Sequence, residues 1–514
     1  MNCIAVENER PGTGDWKLDR PATAREIEGY ASATSVNRGD TIELFVSTHA
    51  PFYTLEVFRM GWYHGLGARR VAGPSTVPGT EQVMPDTDPV TGLVDCAWVN
   101  PFVLSTATPG DPDGWPSGVH LARLTAGNGG AQSYILFVVR DDRRRADLLV
   151  QLSVTTYQAY NPWGGKSLYK WGSSARERAA QVSFNRPYAA NAQNPAAAIG
   201  MGAGEFLTNL QPHPDVYKVS NAGWDCNMVR WLEREGHDLA YVTNLDTHAR
   251  PQALLNCGAW LSIGHDEYWS WEMRQHVEAA RDAGVNLGFF CANSAYWQVR
   301  FERSAASGTA DRVMVCHKKA SRDPVAKGAL GPCRATEKWR SAAVGRPEEA
   351  LIGVMYAGDP VDADIVIEAA DHWAFAGTGL APGSVLPGLL GYEVDAVQGR
   401  SPPGLQVLAA SPWTALTDPA HRGVAHMSVY TSPSGAVVFA TGSIQWAWGL
   451  DDHNAPDLRS SRLSAAAQGI TRNVLARMGS VRLHITKPSV QTPVRLPLSV
   501  NVATSGAAAS SRSR

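Results

Sequence analysis

The chain has no surplus of either charge. Its 46 Lys and Arg stand against 48 Asp and Glu, for a net charge of −2, so a face basic enough for nonspecific nucleic-acid binding is not expected. It has no CxxC pair. Its seven cysteines, at 3, 96, 226, 257, 291, 316 and 333, are odd in number and scattered, which speaks against a disulfide framework and against a structural zinc site. No run of about 18 apolar residues occurs, so no membrane-spanning helix is expected. The start, Met1-Asn2-Cys3-Ile4, enters a polar stretch with no apolar segment behind a basic one. No signal peptide is read there, and a cytoplasmic protein is expected.

What the chain does have is length and aromatic bulk. At 514 residues it exceeds the ~250–300 at which a single core stops growing, so two or three domains are expected. The apolar fraction of 44% and charged fraction of 18% allow a large buried core. Seventeen tryptophans supply large apolar area, each with an N–H that wants a partner.

Residues 1–145 read as an all-β sandwich, short strands broken by Gly, Pro and Asp. Tyr53-Thr54-Leu55-Glu56-Val57-Phe58-Arg59 alternates apolar and polar residues, the mark of a half-buried strand. From Leu148 the pattern changes. Near-continuous apolar strands at 148–154, 239–243, 259–263, 285–290 and 436–440 are separated by helical patterns at 225–235, after Ser270, and at 461–478. Strand–helix alternation predicts a right-handed, doubly wound parallel sheet over residues 146–480. Residues 308–434 read as a large irregular insertion, and 481–514 as a flexible tail.

In open α/β sheets, ligands bind beyond the carboxyl ends of the strands. That rule selects four segments. Residues 155–165 offer Tyr157, Tyr160, Asn161 and Trp163. Residues 264–269 offer His265, Asp266, Glu267 and Tyr268. Residues 291–297 offer Asn293 and Trp297, and residues 441–448 offer Gln445 and Trp446. The second is the densest: a base, two carboxylates and a phenol within four residues can do acid–base work or hold a hard metal. Asp266 and Glu267 equally suit the first turn of a helix, whose dipole favours acids. Cys291 and Cys226 read as small buried residues, since no activating base is specified.

Several blocks together resemble one family, the large subunit of N,N-dimethylformamidase. They include Glu7-Asn8-Glu9-Arg10-Pro11-Gly12-Thr13, Phe58-Arg59-Met60-Gly61-Trp62-Tyr63, Thr156-Tyr157-Gln158-Ala159-Tyr160-Asn161-Pro162-Trp163, Gly264-His265-Asp266-Glu267-Tyr268-Trp269-Ser270 and Gly442-Ser443-Ile444-Gln445-Trp446-Ala447-Trp448. The similarity spans roughly residues 5 to 480. It implies a glutamine-amidotransferase-like α/β domain behind a β-sandwich. It also implies hydrolysis of the C–N bond of a small formamide, with a mononuclear iron held by two tyrosines and a glutamate as Lewis acid. Carried over residue by residue, Tyr268 matches one tyrosine, Asn227 stands at the other, and Glu337 corresponds to the glutamate.

The expectation is therefore a hydrolase-like enzyme acting on an amide or related C–N bond of a small molecule. His265 and Glu267 serve as acid–base groups, with Tyr268 and Asn293 beside them. Tyr157, Tyr160, Asn161, Trp163, Asn227, Trp297, Gln445 and Trp446 are the expected substrate contacts. With one matching ligand of three, no resident metal is expected, and iron enters only through the resemblance. Tyr268 is expected to hydrogen-bond in a pocket lined by Asn227, His265 and Asn293. Two alternatives stay open: a binding or scaffold protein that has lost the metal site, and a metal-free cyclase or lyase. Neither nucleic acid nor membrane is an expected partner, and a homo-oligomer is left open. Trp62 and Tyr63 are expected to pack against the α/β domain.

Overall fold

The computed structural model describes residues 2–108, 110–111, 114–191, 194–212 and 221–480; the segment 481–514, read above as a tail, lies outside them. Strand Thr41–Thr48 buries Ile42, Leu44, Val46 and Thr48 and turns the alternate side chains away from that core, as period-2 patterning dictates. It pairs with Ile27–Ala31 and Phe102–Ser105 in a three-stranded sheet. Facing it is a five-stranded sheet, ordered Ser35–Asn37, Gln132–Arg140, Gly118–Ala126, Phe52–Met60, Ala68–Pro78. Leu55, Val57, Leu124, Ile135 and Phe137 fill the space between.

The five-stranded sheet is covered on its second face too. Phe58, Met60, Leu136 and Val138 share one core with Leu148, Leu152, Trp231 and Tyr241, so the sandwich and the α/β layer bury a continuous apolar seam. At roughly 1.5–3 kcal/mol per fully buried large side chain, that seam binds the two firmly. A polar lock sits inside it. Arg59 Nη2 and Nη1 donate to the two Glu233 oxygens at 2.8 and 2.9 Å, Asn8 Nδ2 donates at 2.8 Å and Tyr241 OH at 2.9 Å. Gly61 is glycine for a local reason: a Cβ there would collide with the Glu233 carboxylate. Tyr63 is buried beside Arg59, and Trp62 lies under Arg230 and Arg234 of the helix Asp225–Arg234.

The α/β layer is a seven-stranded sheet. Leu239–Thr243, Ala146–Leu152, Cys257–His265, Asn286–Ala292 and Val437–Ala440 run parallel in that spatial order. Helices Asp225–Arg234, Trp271–Asp282 and Ala465–Ser480 connect and cover them. The region expected to be irregular is more ordered than its sequence suggests. Asp418–Thr431 and Gln406–Ala415 pair antiparallel with each other, and Asp418–Thr431 also pairs with Val437–Ala440, extending the main sheet. Met355–Val366 and Val385–Ala396 form a second hairpin. Proline and glycine inside these strands, at Pro360, Pro387, Gly388 and Pro412, hide them from a pattern reading, because both residues normally weaken a strand.

Candidate active site

The candidate site forms where three strand ends meet. Strand Cys257–His265 closes with Gly264 at φ +69°, a conformation that suits glycine. A Cβ there would also strike the Asp225 carboxylate. The turn beyond is pinned on both sides: Glu267 N donates to Thr156 Oγ1 at 3.0 Å, and Trp297 N donates to Glu267 O at 2.9 Å. Ala146–Leu152 leads into the short helix Val154–Tyr160, which places Tyr160 over the same turn.

Around Glu267 the polar groups converge. Tyr160 OH donates to Glu267 Oε2 at 2.9 Å, and Tyr169 OH lies 2.9 Å from both Glu267 oxygens. Tyr268 OH donates to Tyr169 OH at 2.7 Å, and Lys318 Nζ donates to Tyr268 OH at 2.9 Å. The Lys318 ammonium sits 3.5 Å from the centre of the Tyr169 ring and 4.7 Å from that of Trp297, a cation–π setting. On the other side, His265 Nε2 is 3.6 Å from Glu267 Oε2 and 3.3 Å from Glu393 Oε2. Asn293 packs against the same imidazole at 3.3 Å, and its N–H is held by Asp395 at 2.8 Å. The inner groups are buried, while Tyr169, Lys318 and Trp297 are half-buried and Trp171, its ring tilted against Tyr160 and Tyr169, is exposed. These four form the solvent-facing side of the cluster.

Burial dominates the electrostatics. It raises the Glu267 carboxyl, against the pull of His265 and with the push of Glu393. It raises Glu393 well above the carboxylate range, with Asp359 adding to the effect. It raises the phenols of Tyr160, Tyr169 and Tyr268, with Glu267 next in importance for each. Burial also lowers the Lys318 ammonium to about 8, against the opposing pull of Glu267. Displaced acids and a displaced base gathered in one recess are what acid–base chemistry requires. Glu393 Oε2 and Asn293 Oδ1 are buried without a hydrogen-bond partner, which leaves both able to take one from a ligand or water.

His265, Glu267, Tyr268, Asn293 and Tyr160 are thus brought together, with Trp297 on the solvent-facing side. The other expected contacts lie elsewhere. Tyr157 donates to Asp225. Asn161 braces its own loop through Trp163 N and Ala189 N. Trp163 Nε1 donates to Glu28 Oε2 at 2.7 Å, joining the sandwich to the α/β layer. Gln445 bonds Asp362 and Gly388, and Trp446 bonds Thr471. Asn227 donates to the carbonyls of Asp451 and His453, so the expected Tyr268 pocket is lined by Tyr169 and Lys318 in its place. Asp266 turns away into Gln151, Asn244 and Ser262. Cys291 is buried against Ser294 and Ser262, and burial pushes its thiol up.

Tyr169, Lys318 and Glu393 were not singled out from the sequence. Lys318 and Glu393 lie in the region read as irregular, and Tyr169 follows a glycine-rich loop that periodicity cannot place. The repeated Tyr spacing at 157, 160 and 169 was the one available signal.

The two-sheet N-terminal layer and the parallel sheet place a buried, oxygen-rich cluster at the carboxyl ends of the parallel strands. The chain belongs to the N,N-dimethylformamidase beta-subunit-like family: the model of that family's C-terminal region matches residues 54–457. No curated protein matches the chain.

Proposed function

We propose that this protein hydrolyses the C–N bond of a small amide in the recess around Glu267. One observation carries the reading: two phenols and one carboxylate, Tyr160, Tyr169 and Glu267, meet within 2.9 Å. That is the donor set the family resemblance implies for iron, supplied by residues other than those first aligned. Tyr268 joins this set through Tyr169 at 2.7 Å, whereas Asn227 and Glu337 stand apart from it. Asn227 is engaged at Asp451, and Glu337 accepts from Ala320 N at 2.7 Å. Among the described residues no group of three or more His, Cys, Asp and Glu side chains is arranged for a metal, so a centre here rests on phenol oxygens. Hard oxygen donors of this kind suit a ferric ion. When bound, such an ion supplies Lewis acidity toward the carbonyl oxygen and the attacking water.

The chain's own groups perform the proton transfers. Glu393, beside His265, acts in its ionised form, whose raised proton affinity makes it a strong base, and takes a proton from water as the water oxygen attacks the carbonyl carbon. The same proton then passes to the amide nitrogen as the C–N bond breaks, leaving a carboxylic acid and an amine. Tyr268 and Lys318 form a donor chain to the Tyr169 oxygen and hold that ligand in place. The parallel strands and sheet-edge site support a glutamine-amidotransferase-like reading of the α/β layer, without a nucleophilic role for Cys291. All seven cysteines are free thiols, and no helix among the described residues is long and apolar enough to cross a membrane. Free thiols suit a reducing compartment, and a cytoplasmic setting and a small-molecule substrate are parts of this proposal.

A second reading, a metal-free binding module, is favoured by one observation: an ammonium already lies against Tyr169 and Tyr268. A screen of formamides and small amides on iron-loaded and chelator-treated protein separates the two. Turnover that needs iron and disappears in Glu267→Gln supports the hydrolase; ligand binding with no turnover under either condition supports the module.

A further inference from the structure

We propose that the cleft between the N-terminal layer and the helix Asp225–Arg234 is a second ligand site, built for the carboxylate of an aromatic acid. It is independent of the amidase reading, because its lining shares no residue with the cluster around Glu267.

The cleft has a volume of about 520 Å³, within the ~300–1,000 Å³ usual for small-molecule sites. Its walls come from distant parts of the chain and are tied to one another. Trp16 Nε1 donates to Leu66 O at 3.0 Å, Tyr134 OH to Trp16 O at 2.6 Å, and Asn454 Nδ2 to Leu207 O at 2.8 Å. Trp16 is 3% exposed, and its ring centre lies 5.8 Å from that of His453. A cleft held in this way needs little ordering when a ligand enters. Trp16, Trp62, Leu207 and Leu463 give it indole and aliphatic surface, which suits a flat apolar body.

The hydrogen-bonding capacity left over is of one kind. Arg230 is 8% exposed; its Nε donates to Asp451 Oδ1 at 3.0 Å, and its guanidinium lies 5.1 Å from the centre of the Trp62 ring. Neither its Nη2 nor Lys17 Nζ has an acceptor among the described residues. Two acids of the lining are already engaged, Asp451 by Arg230 and Asp452 by Arg459 at 3.3 Å, and Asp457 is exposed. His453 adds no charge: burial, with Arg230, Lys17 and Arg459 acting in the same direction, lowers its imidazole to about 3. Free cationic donors beside aromatic walls select an anion on an aromatic body. A carboxylate accepts charge-assisted bonds from guanidinium and ammonium groups, and its ring packs on indole.

Isothermal titration calorimetry of the full chain with 2-naphthoate tests this. 2-Naphthalenemethanol, 2-naphthylmethylamine and acetate are the neutral, cationic and ring-free controls. One naphthoate per chain is expected, bound at least about 10-fold more tightly than the alcohol, with no saturation by the amine or by acetate. Lys17→Met should weaken naphthoate about 10-fold, and Leu463→Glu, which sets an acid at the edge of the cleft, should abolish its binding. Both positions are exposed, so both variants should melt as the wild type does. An alcohol that binds as tightly as the acid overturns the anion preference, and an unchanged affinity in Lys17→Met overturns the role of Lys17. The site itself is overturned if naphthoate does not saturate, if its binding survives Leu463→Glu, or if it is lost in Glu267→Gln. Calorimetry reads binding without turnover. A chain that binds naphthoate here and hydrolyses no amide therefore supports this site and counts only against the amidase reading.

Discussion

Two buried polar clusters in this molecule differ in one respect. Glu233, at the seam between sandwich and α/β layer, has both oxygens filled by Arg59, Asn8 and Tyr241. Glu267 and Glu393, at the sheet edge, share a recess with displaced proton affinities and an oxygen without a partner. The Glu233 carboxylate, though Arg59 Nε beside it has no partner, has nothing left to offer a ligand and serves cohesion. An unsaturated one costs stability and persists where it does chemistry. The contrast predicts that substitutions in the first cluster act on stability and those in the second on activity.

The largest effect is expected at the seam. Arg59→Met leaves the Glu233 carboxylate buried without its cation and should cost about 3–5 kcal/mol. Denaturant unfolding followed by tryptophan fluorescence measures it; a loss under about 1 kcal/mol would mean that the pair is not desolvated as described. Next comes Glu267→Gln. Removing a proposed ligand should lower amide turnover by at least about 100-fold, of the order of losing one well-placed charge-stabilising group. The melting temperature should stay level or rise, because a buried carboxylate is discharged. Turnover retained within a few-fold of wild type would break the contrast from the other side.

Tyr268→Phe is expected to be milder. It deletes the donor between Lys318 and Tyr169 while leaving Tyr160, Tyr169 and Glu267 in place, and a loss of about 10–100-fold in metal affinity or activity is typical of such outer partners. Equilibrium dialysis with iron is the check. The smallest effect concerns acid stability. Asp323 accepts from Arg300 and Thr336. Burial opposes its ionisation, but Arg300 and Thr336 outweigh burial and hold its carboxyl down to about 2. The folded value lies below the unfolded one, so this contribution is present above about pH 4. It is lost as pH falls through about 2. Asp323→Asn should lower stability at neutral pH and flatten the acid limb of the stability curve. An unchanged acid limb would show that Asp323 is not ionised by its partners.

Much of the frame was legible in the chain. The alternation at 53–59 and the near-continuous apolar run at 148–154 place a half-buried and a fully buried strand because side-chain period follows burial. The turn at 264–268 stood out because a strand end rarely needs a base, two acids and a phenol together. What could not be read was convergence. Tyr169 comes from a loop, Lys318 from the segment after strand Val313–Val315, and Glu393 from a strand interrupted by Pro387 and Gly388. No local period links such positions. Asn227 and Glu337 lie far from Tyr268 along the chain and are engaged elsewhere, whereas Tyr160, Tyr169 and Glu267 meet once the strands are side by side.

Whether the oxygens of Tyr160, Tyr169 and Glu267 form one metal centre is open to direct measurement. The direct measurement is elemental analysis of purified wild type, Tyr169→Phe and Glu267→Gln after iron loading and removal of excess metal. About one iron per chain in the wild type, with most of it lost in both variants, is the predicted result. A wild type that retains no iron, or variants that hold as much as the wild type, would contradict it.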